Sequence, residues 1–558
     1  VRFFVIVAGA ALLVLVGLAA LAGGGVLAII GVVLLAGVLC LGLYDLVQRK
    51  HSILRNYPVA GHLRFLLEAI RPEMQQYFIE RNYDGRPFDR DTRTVIYERA
   101  KGIHGEQAFG TERDVAEPGY EWLLHTNAPI DPPDDMPRVR IGGPDCTKPY
   151  EMALLNVSAM SFGALSANAI RALNGGARLG GFAHDTGEGG LTRYHLENGG
   201  DLIWEIGSGY FGARTEDGHF DPVAFGEKAG HVQVKCVSLK LSQGAKPGIG
   251  GVLPGAKVTA EIADARGVPK GEKCVSPSHH SAFSTPRELV RFLATMRGLA
   301  GGKPTGMKLC IGARHEFLAI CKAMLEEGTG PDFIVVDGSE GGTGAAPQEY
   351  EDHVGTPLTE GLMIVHNALV GTGLRERTRI GASGKVATGA DIVKRLAQGA
   401  DYTNAARAMM MAAGCIQAQV CHTNKCPVGV TTQDARRARA LDVPDKTQRV
   451  HRFQEATVRQ AQQIVGSMGL HDPSEVEPWM LIRRVDEART SSFAELYEWL
   501  EPGQLLSGPP ESWAADWERA DPDSFKARRP DRPTPRRDGT KLPARTRSSD
   551  PSQIHTTR

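Results

Sequence analysis

The chain opens on its longest apolar stretch. From Phe3 to Tyr44 no charged residue occurs. A bilayer core of about 30 Å takes roughly 20 helical residues, so this run has room for two spans. Gly23-Gly24-Gly25 lies near its middle, where a hairpin must turn, and Arg49, Lys50, His51 and Arg55 follow it. Basic residues flanking a span stay on the cytoplasmic side. The expectation is a transmembrane helical hairpin over 1–46, multi-pass in the inner (cytoplasmic) membrane, with the rest of the chain in the cytoplasm. A signal peptide cleaved near Ala20-Leu21-Ala22 is the alternative. The second span would still return the body to the cytoplasm.

Beyond the apolar run the pattern changes twice. HLRFLLEAIRPEMQQYF reads as an amphipathic helix and is followed by Pro/Asp-rich breaks such as APIDPPDDMP. Residues 47–150 are therefore expected to be a lead-in segment packed on the main domain. From 151 to 470 short apolar runs alternate with helical patterns, the signature of α/β structure with parallel strands. Eight candidate strands fall at 152–160, 181–187, 201–207, 232–242, 305–311, 332–338, 379–385 and 400–406. Eight closes a (β/α)8 TIM barrel, with an insertion held in 243–303. A C-terminal helical segment over 471–514 is expected next. From 515 to 558 the sequence is Pro/Arg/Asp/Ser-rich without apolar periodicity and reads as a disordered tail.

Composition narrows the class. Lys+Arg and Asp+Glu balance at 64 each, so no bulk charge draws the chain to nucleic acid. Glycine is high at 65 residues and aromatics are low at 6%, which suits a barrel with tight, ligand-approaching loops. The 9 cysteines are an odd number and scattered, save for Cys415, Cys421 and Cys426. That distribution fits a reducing compartment with one metal or cluster site better than a disulfide framework.

In such a barrel the reactive groups sit at the carboxyl ends of strands. Met160-Ser161-Phe162-Gly163 follows the first candidate strand, and TGEGG after the second presents Glu188. KLSQGAKPG after the fourth presents Lys240, Gln243 and Lys246, and the fifth carries Lys308. The sixth runs into DGSEGGTGAAP, where Gly341 and Gly342 let backbone approach a ligand. Ser383 and Gly384 end the seventh, and Arg407 follows the eighth. Small residues and an arginine after strands seven and eight are the expected composition of a barrel phosphate site, although any one of these loops alone reads as a tight turn. Lys308 is either a buried salt-bridge lysine or a cation for the N1–O2 edge of a reduced flavin.

Cys415-x5-Cys421-x4-Cys426-Pro427 places three thiols on one loop followed by proline, as cluster-binding runs often do. Three ligands suit a 3Fe–4S cluster. Zinc with His422 as a fourth ligand, and buried unliganded cysteine, are the alternatives.

Taken in order, MSFGALS, TGEGG, QGAKPG, GGTGAAP and GCIQAQVCHTNKCPVGV running into TTQD resemble the central FMN-binding domain of glutamate synthases. The likeness covers roughly 150–435 and is nearest the short, single-barrel members. It implies FMN at the barrel mouth, 2-oxoglutarate against it, and reduction of 2-iminoglutarate, made with ammonia, to glutamate. It further implies Met160 and Ser161 against the flavin, Lys308 at its ring, and Gly341, Gly342, Ser383, Gly384 and Arg407 around it or its phosphate. Ser161, Glu188, Gln243 and Lys246 would address the oxo acid or imine, and Cys415, Cys421 and Cys426 would hold the 3Fe–4S cluster. Two departures stand out. Larger members read GEGGQLPG where this chain reads GIGGVLPG, so Ile249 and Val252 replace polar residues. No glutaminase module is visible, so ammonia is expected free or from a separate glutaminase subunit. Electrons are expected from a ferredoxin or a reductase subunit, because no GxGxxG fingerprint follows a strand. An FMN-dependent dehydrogenase or oxidase of another oxo or amino acid, and a membrane-bound electron-transfer subunit, are the competing functions.

Overall fold

The computed structural model describes residues 4–23, 25–103 and 105–528. Its contacts divide the chain into two units, Val1–Thr94 and Val95–Arg558. The lead-in segment therefore does not behave as one piece: 47–94 goes with the apolar helices and 95–150 with the barrel.

In the first unit, α1 (Phe4–Leu21) and α2 (Gly25–Val47) form the expected helical pair. They approach closely where Gly31 faces Val16: a Cβ there would lie 3.4 Å from Val16 Cγ1. Among the described residues, α2 is long and apolar enough to cross a bilayer, while the other run, Val7–Leu21, is shorter. The double span thus rests on one helix of sufficient length. At the end of α2 the buried carboxylate of Asp45 accepts from the Val59 amide at 2.9 Å and meets His62 Nε2 at 2.9 Å. That tie fixes where the chain leaves the apolar helix.

In the second unit all eight candidate strands are present: β1 (Leu155–Val157), β2 (His184–Asp185), β3 (Leu202–Ile206), β4 (Val234–Lys240), β5 (Thr305–Leu309), β6 (Phe333–Asp337), β7 (Arg379–Ser383) and β8 (Tyr402–Ala405). They pair in parallel, and β8 closes onto β1 through Thr403 opposite Leu155. The strands are apolar along most of their length because helices cover the outside and side chains fill the inside. Crossover helices begin where the sequence offers caps. The Ser166 hydroxyl accepts from the Ala169 amide, and Thr388 with Asp391 forms a reciprocal capping box.

The antiparallel strands Arg138–Ile141 and Tyr150–Ala153 plug the amino end of the barrel. Their Ile141 and Met152 join Ile203, Phe333, Val335 and Tyr402 in one buried cluster. Large and small residues interlock there: a Cβ on Gly381 would come within 2.5 Å of the Tyr402 ring. With the bottom filled, the opposite mouth is left for ligands.

The 243–303 stretch holds an insertion as expected, a small antiparallel pair (Val252–Leu253 with Cys274–Val275) around the helix Ala260–Arg266. The tail expectation fails over its first part. Helix Glu511–Arg519 runs past 515, with Trp513 buried under the Arg314 guanidinium at 4.4 Å and the Lys322 ammonium 4.4 Å from the Trp517 ring. Two tryptophans four apart were the apolar signal hidden in that polar stretch. Residues 529–558 lie outside the described residues.

One buried ion pair braces the amino end. Arg297 Nε meets Asp332 Oδ2 at 2.9 Å, and the same carboxylate accepts from the amides of Gly143 and Thr305 at 2.8 Å each. Asp332→Ala leaves the buried Arg297 guanidinium with only the longer ion pair to Asp145 at 3.7 Å and strands the amides of Gly143 and Thr305, so unfolding in urea should show a loss of about 3–5 kcal/mol. A midpoint equal to wild type would contradict this role.

Candidate active site

The carboxyl ends of the strands open into a cleft. Its wall brings together Met160, Ser161, Glu188, Gln243, Lys246, Lys308, Gly342 and Arg407, which the sequence placed there strand by strand, with Cys421 at the edge. Gly341, Ser383 and Gly384 stand at neighbouring strand ends rather than on that wall. Ser383 Oγ is 3.2 Å from Ser158 Oγ, and Gly384 has φ 152°.

Electrostatics here are set by two lysines that the strand register makes neighbours. Lys308 on β5 lies opposite Lys240 on β4. Each has its own carboxylate: Lys240 Nζ meets Glu188 Oε1 at 2.9 Å, and Lys308 Nζ meets Glu205 Oε2 at 3.2 Å. Lys308 is thus both a salt-bridge lysine and a cleft residue. Burial opposes its charge, but Glu205, Asp337 and Asp185 together hold it above the ordinary lysine value. Burial likewise opposes charge on Glu188, and Lys240 outweighs it, so the carboxyl sits below its usual range. Asp185 goes the other way, raised by burial and by Glu205 beside it.

The loops are tied to one another. Gln243 Oε1 accepts from Lys240 Nζ at 2.8 Å. The Gly244 amide donates to Asp337 at 2.9 Å, and a Cβ on Gly244 would collide with the Gly338 carbonyl. Lys246 Nζ donates to the Ala345 carbonyl at 2.7 Å. Burial and the repulsion of Lys240 lower Lys246 to about 8. Arg407 donates to the Glu340 carbonyl at 2.6 Å, which closes the 337–347 loop over the end of β8. A Cβ on Gly251 would collide with the Glu188 carboxylate, so the glycine is what lets that side chain reach Lys240.

Two residues of this site were not singled out from the sequence. Arg266, at the end of a helix inside the insertion, is buried and donates to Ser161 Oγ at 3.3 Å and to the Phe162 carbonyl at 3.1 Å. Among the described residues its Nε has no hydrogen-bond partner. Glu205 was visible in principle, as the lone acid in the apolar strand LIWEI.

The cysteine loop folds against the same mouth. Burial pushes Cys415 up to about 12, although the Gln417 amide donates to its sulfur at 3.4 Å. Cys426 behaves oppositely: burial would raise it, but the surrounding amides of Thr431, Val428 and Val430 hold it below the ordinary thiol value. A ring of donors around a buried sulfur favours a thiolate. Among the described residues no three His, Cys, Asp or Glu side chains converge as on a single metal ion. Three cysteines on one loop, with Cys426 favoured as a thiolate, are a donor set chemically suited to an iron–sulfur cluster. The cleft fits a phosphate-bearing flavin by the same kind of test, because small residues and Arg407 stand at the β7 and β8 ends and Lys308 faces the interior.

The conserved-region model of glutamate synthase matches residues 141–471. This chain belongs to the glutamate synthase family. It is 41% identical over 450 residues to the glutamate synthase large subunit-like protein YerD of Bacillus subtilis (strain 168), covering 73% of this chain and 85% of that one. The archaeal-type glutamate synthase (NADPH) of Thermotoga neapolitana is 35% identical over 315 residues, or 56% of this chain and 59% of the relative. The glutamate synthase (NADPH) large chain of Azospirillum brasilense is 33% identical over 324 residues, 20% of its length. Likeness to a solved mandelate oxidase structure is slight, with TM-score 0.37 and 12% identity over 72% of this chain and 89% of that one. Family membership makes the chain an oxidoreductase of the type acting on CH–NH2 donors.

Lys246 has to be protonated to hold an anion. Its value of about 8 lies below that of an ordinary lysine, so carboxylate binding should be intact below pH 8 and fall as pH rises through it. Losing a charge-assisted hydrogen bond costs about 1.5–3 kcal/mol, so Lys246→Met should bind 2-oxoglutarate roughly 10- to 150-fold more weakly and lose this pH limb. Titration followed by flavin absorbance checks both. Equal affinity in the variant would remove Lys246 from the role.

Proposed function

We propose that this chain reduces 2-iminoglutarate, formed from 2-oxoglutarate and ammonia, to glutamate, using FMN and a 3Fe–4S cluster on the 415–426 loop. What supports this most is one cleft that collects Glu188, Gln243, Lys246, Lys308 and Arg407 with Cys421 at its edge. FMN, when bound, supplies hydride for the imine carbon, with the cluster as its electron source.

The chain's own residues do the rest. Arg407, with Gly341, Gly342, Ser383 and Gly384, would hold the phosphate end, and Lys308 would present its charge to the flavin ring beside Met160 and Ser161. Lys246 anchors a substrate carboxylate. Glu188, kept ionised by Lys240, and Gln243, oriented by the same lysine, address the nitrogen. Arg266 fixes Ser161 and adds positive charge. Val252 lines the same cleft as an apolar group, which keeps other oxo acids in the substrate panel. Ammonia would come free or from a separate glutaminase subunit, and electrons from a ferredoxin-like donor or a reductase subunit. Helix α2 would tether the barrel to the inner membrane, with α1 completing a hairpin and the catalytic part cytoplasmic.

Purified protein should carry about one FMN and one 3Fe–4S cluster per chain, and Cys421→Ser should bleach the cluster while flavin remains. Reduced ferredoxin with ammonium and 2-oxoglutarate should give glutamate, whereas glutamine with NADPH should not. A colourless, zinc-containing protein, or turnover of glutamine and NADPH by the chain alone, would overturn the reading. For topology, a reporter active only in the periplasm, fused after residue 60, should stay silent. A strong signal would reverse the orientation.

A further inference from the structure

Lys257 is a buried cation that the chemistry above leaves unused. It lies in the 243–303 insertion and is only 2% exposed. Its ammonium donates to the Ala164 carbonyl at 2.9 Å. Burial opposes its charge, the titratable neighbours that favour it are Cys421 and Cys426, and among the described residues no carboxylate forms an ion pair with it. A buried charge without a counter-charge is expensive, so its surroundings should gain an anion when the site is filled.

The surrounding loops are locked around this position. Asn424, between the two cysteines, donates through Nδ2 to the carbonyl of Ala256 at 3.2 Å. Gln433 at the end of the cysteine loop donates to the carbonyls of Gly163 and Leu165 at 3.1 and 2.7 Å. Ser166 Oγ donates to the Gly429 carbonyl at 2.7 Å. Ala164 and Leu165 in turn line the cleft. One ammonium therefore stands where the cysteine loop, the insertion and the cleft wall meet.

We propose that Lys257 is the counter-charge of the cluster: it raises the cluster's reduction potential and holds the cysteine loop in register with the cleft. This rests on the cluster reading above. Each electron added makes the cluster more negative, so a fixed neighbouring cation stabilises the reduced form. Lys257 acts through the cluster and touches no substrate, which makes it a positioning residue.

The test is a redox titration of the holoprotein, with cluster oxidation state read by electron paramagnetic resonance. Iron and FMN contents are measured alongside. Lys257→Met should favour the oxidised cluster by about tenfold at a given potential, a shift of about 59 mV for one electron. Lys257→Arg should restore the wild-type value. If Lys257→Met loses its cluster, Lys257→Gln and Lys257→Arg decide: retention only in the arginine variant supports a charge role, and retention in the glutamine variant at the wild-type potential overturns it. A Lys257→Met protein with full iron and an unshifted potential also overturns it. Absence of iron from wild type would sink the cluster reading itself, and the metal analysis reports that separately.

Discussion

Parallel pairing of β4 and β5 sets Lys240 and Lys308 side by side at the mouth of a closed barrel, both buried. Buried like charges that close are tolerated only with opposite charges beside them. Glu205 comes from the adjacent strand, and Glu188 arrives on a loop that needs Gly251 to let it in. Two of the cleft's cations are thereby neutralised by the protein itself. Lys246, lowered by the same crowding, is left bonded to a carbonyl rather than to an acid. The site's division of labour follows from that imbalance.

The same logic extends outward to the cysteine loop. Its sulfurs meet backbone amides at Cys426 and Cys415, and a lysine without a carboxylate stands behind them. Donors and a cation around soft ligands describe a place built for an anionic centre. Hydrogen bonds from Gln433 and Ser166 hold this loop against the segment that lines the cleft. In the proposed reading these bonds would fix the spacing between the flavin site and the cluster.

Much of this was legible along the chain. The eight strands stand where short apolar runs between helical patterns put them, because a strand covered on both faces has to be apolar along most of its length. The strand-end glycines, Glu188, Gln243, Lys246 and the three cysteines were readable as local strings, since tight turns and soft ligands demand particular residue types. The amino-terminal helices followed from an unbroken apolar run.

What only the tertiary structure decided was partnership. Arg266 and Lys257 lie in an insertion with no distinctive local pattern, and they acquire meaning only when the chain folds back to put them beside Ser161 and the cysteines, some hundred or more residues away. The pairing of Lys308 with Glu205 likewise depends on strand order and register across the barrel. Helix Glu511–Arg519 is held by Arg314 and Lys322 from a distant helix, so its polar sequence read as tail. Local pattern records which backbone a segment can adopt. Which charge meets which is set by the closure of the barrel, and no window along the chain contains that information.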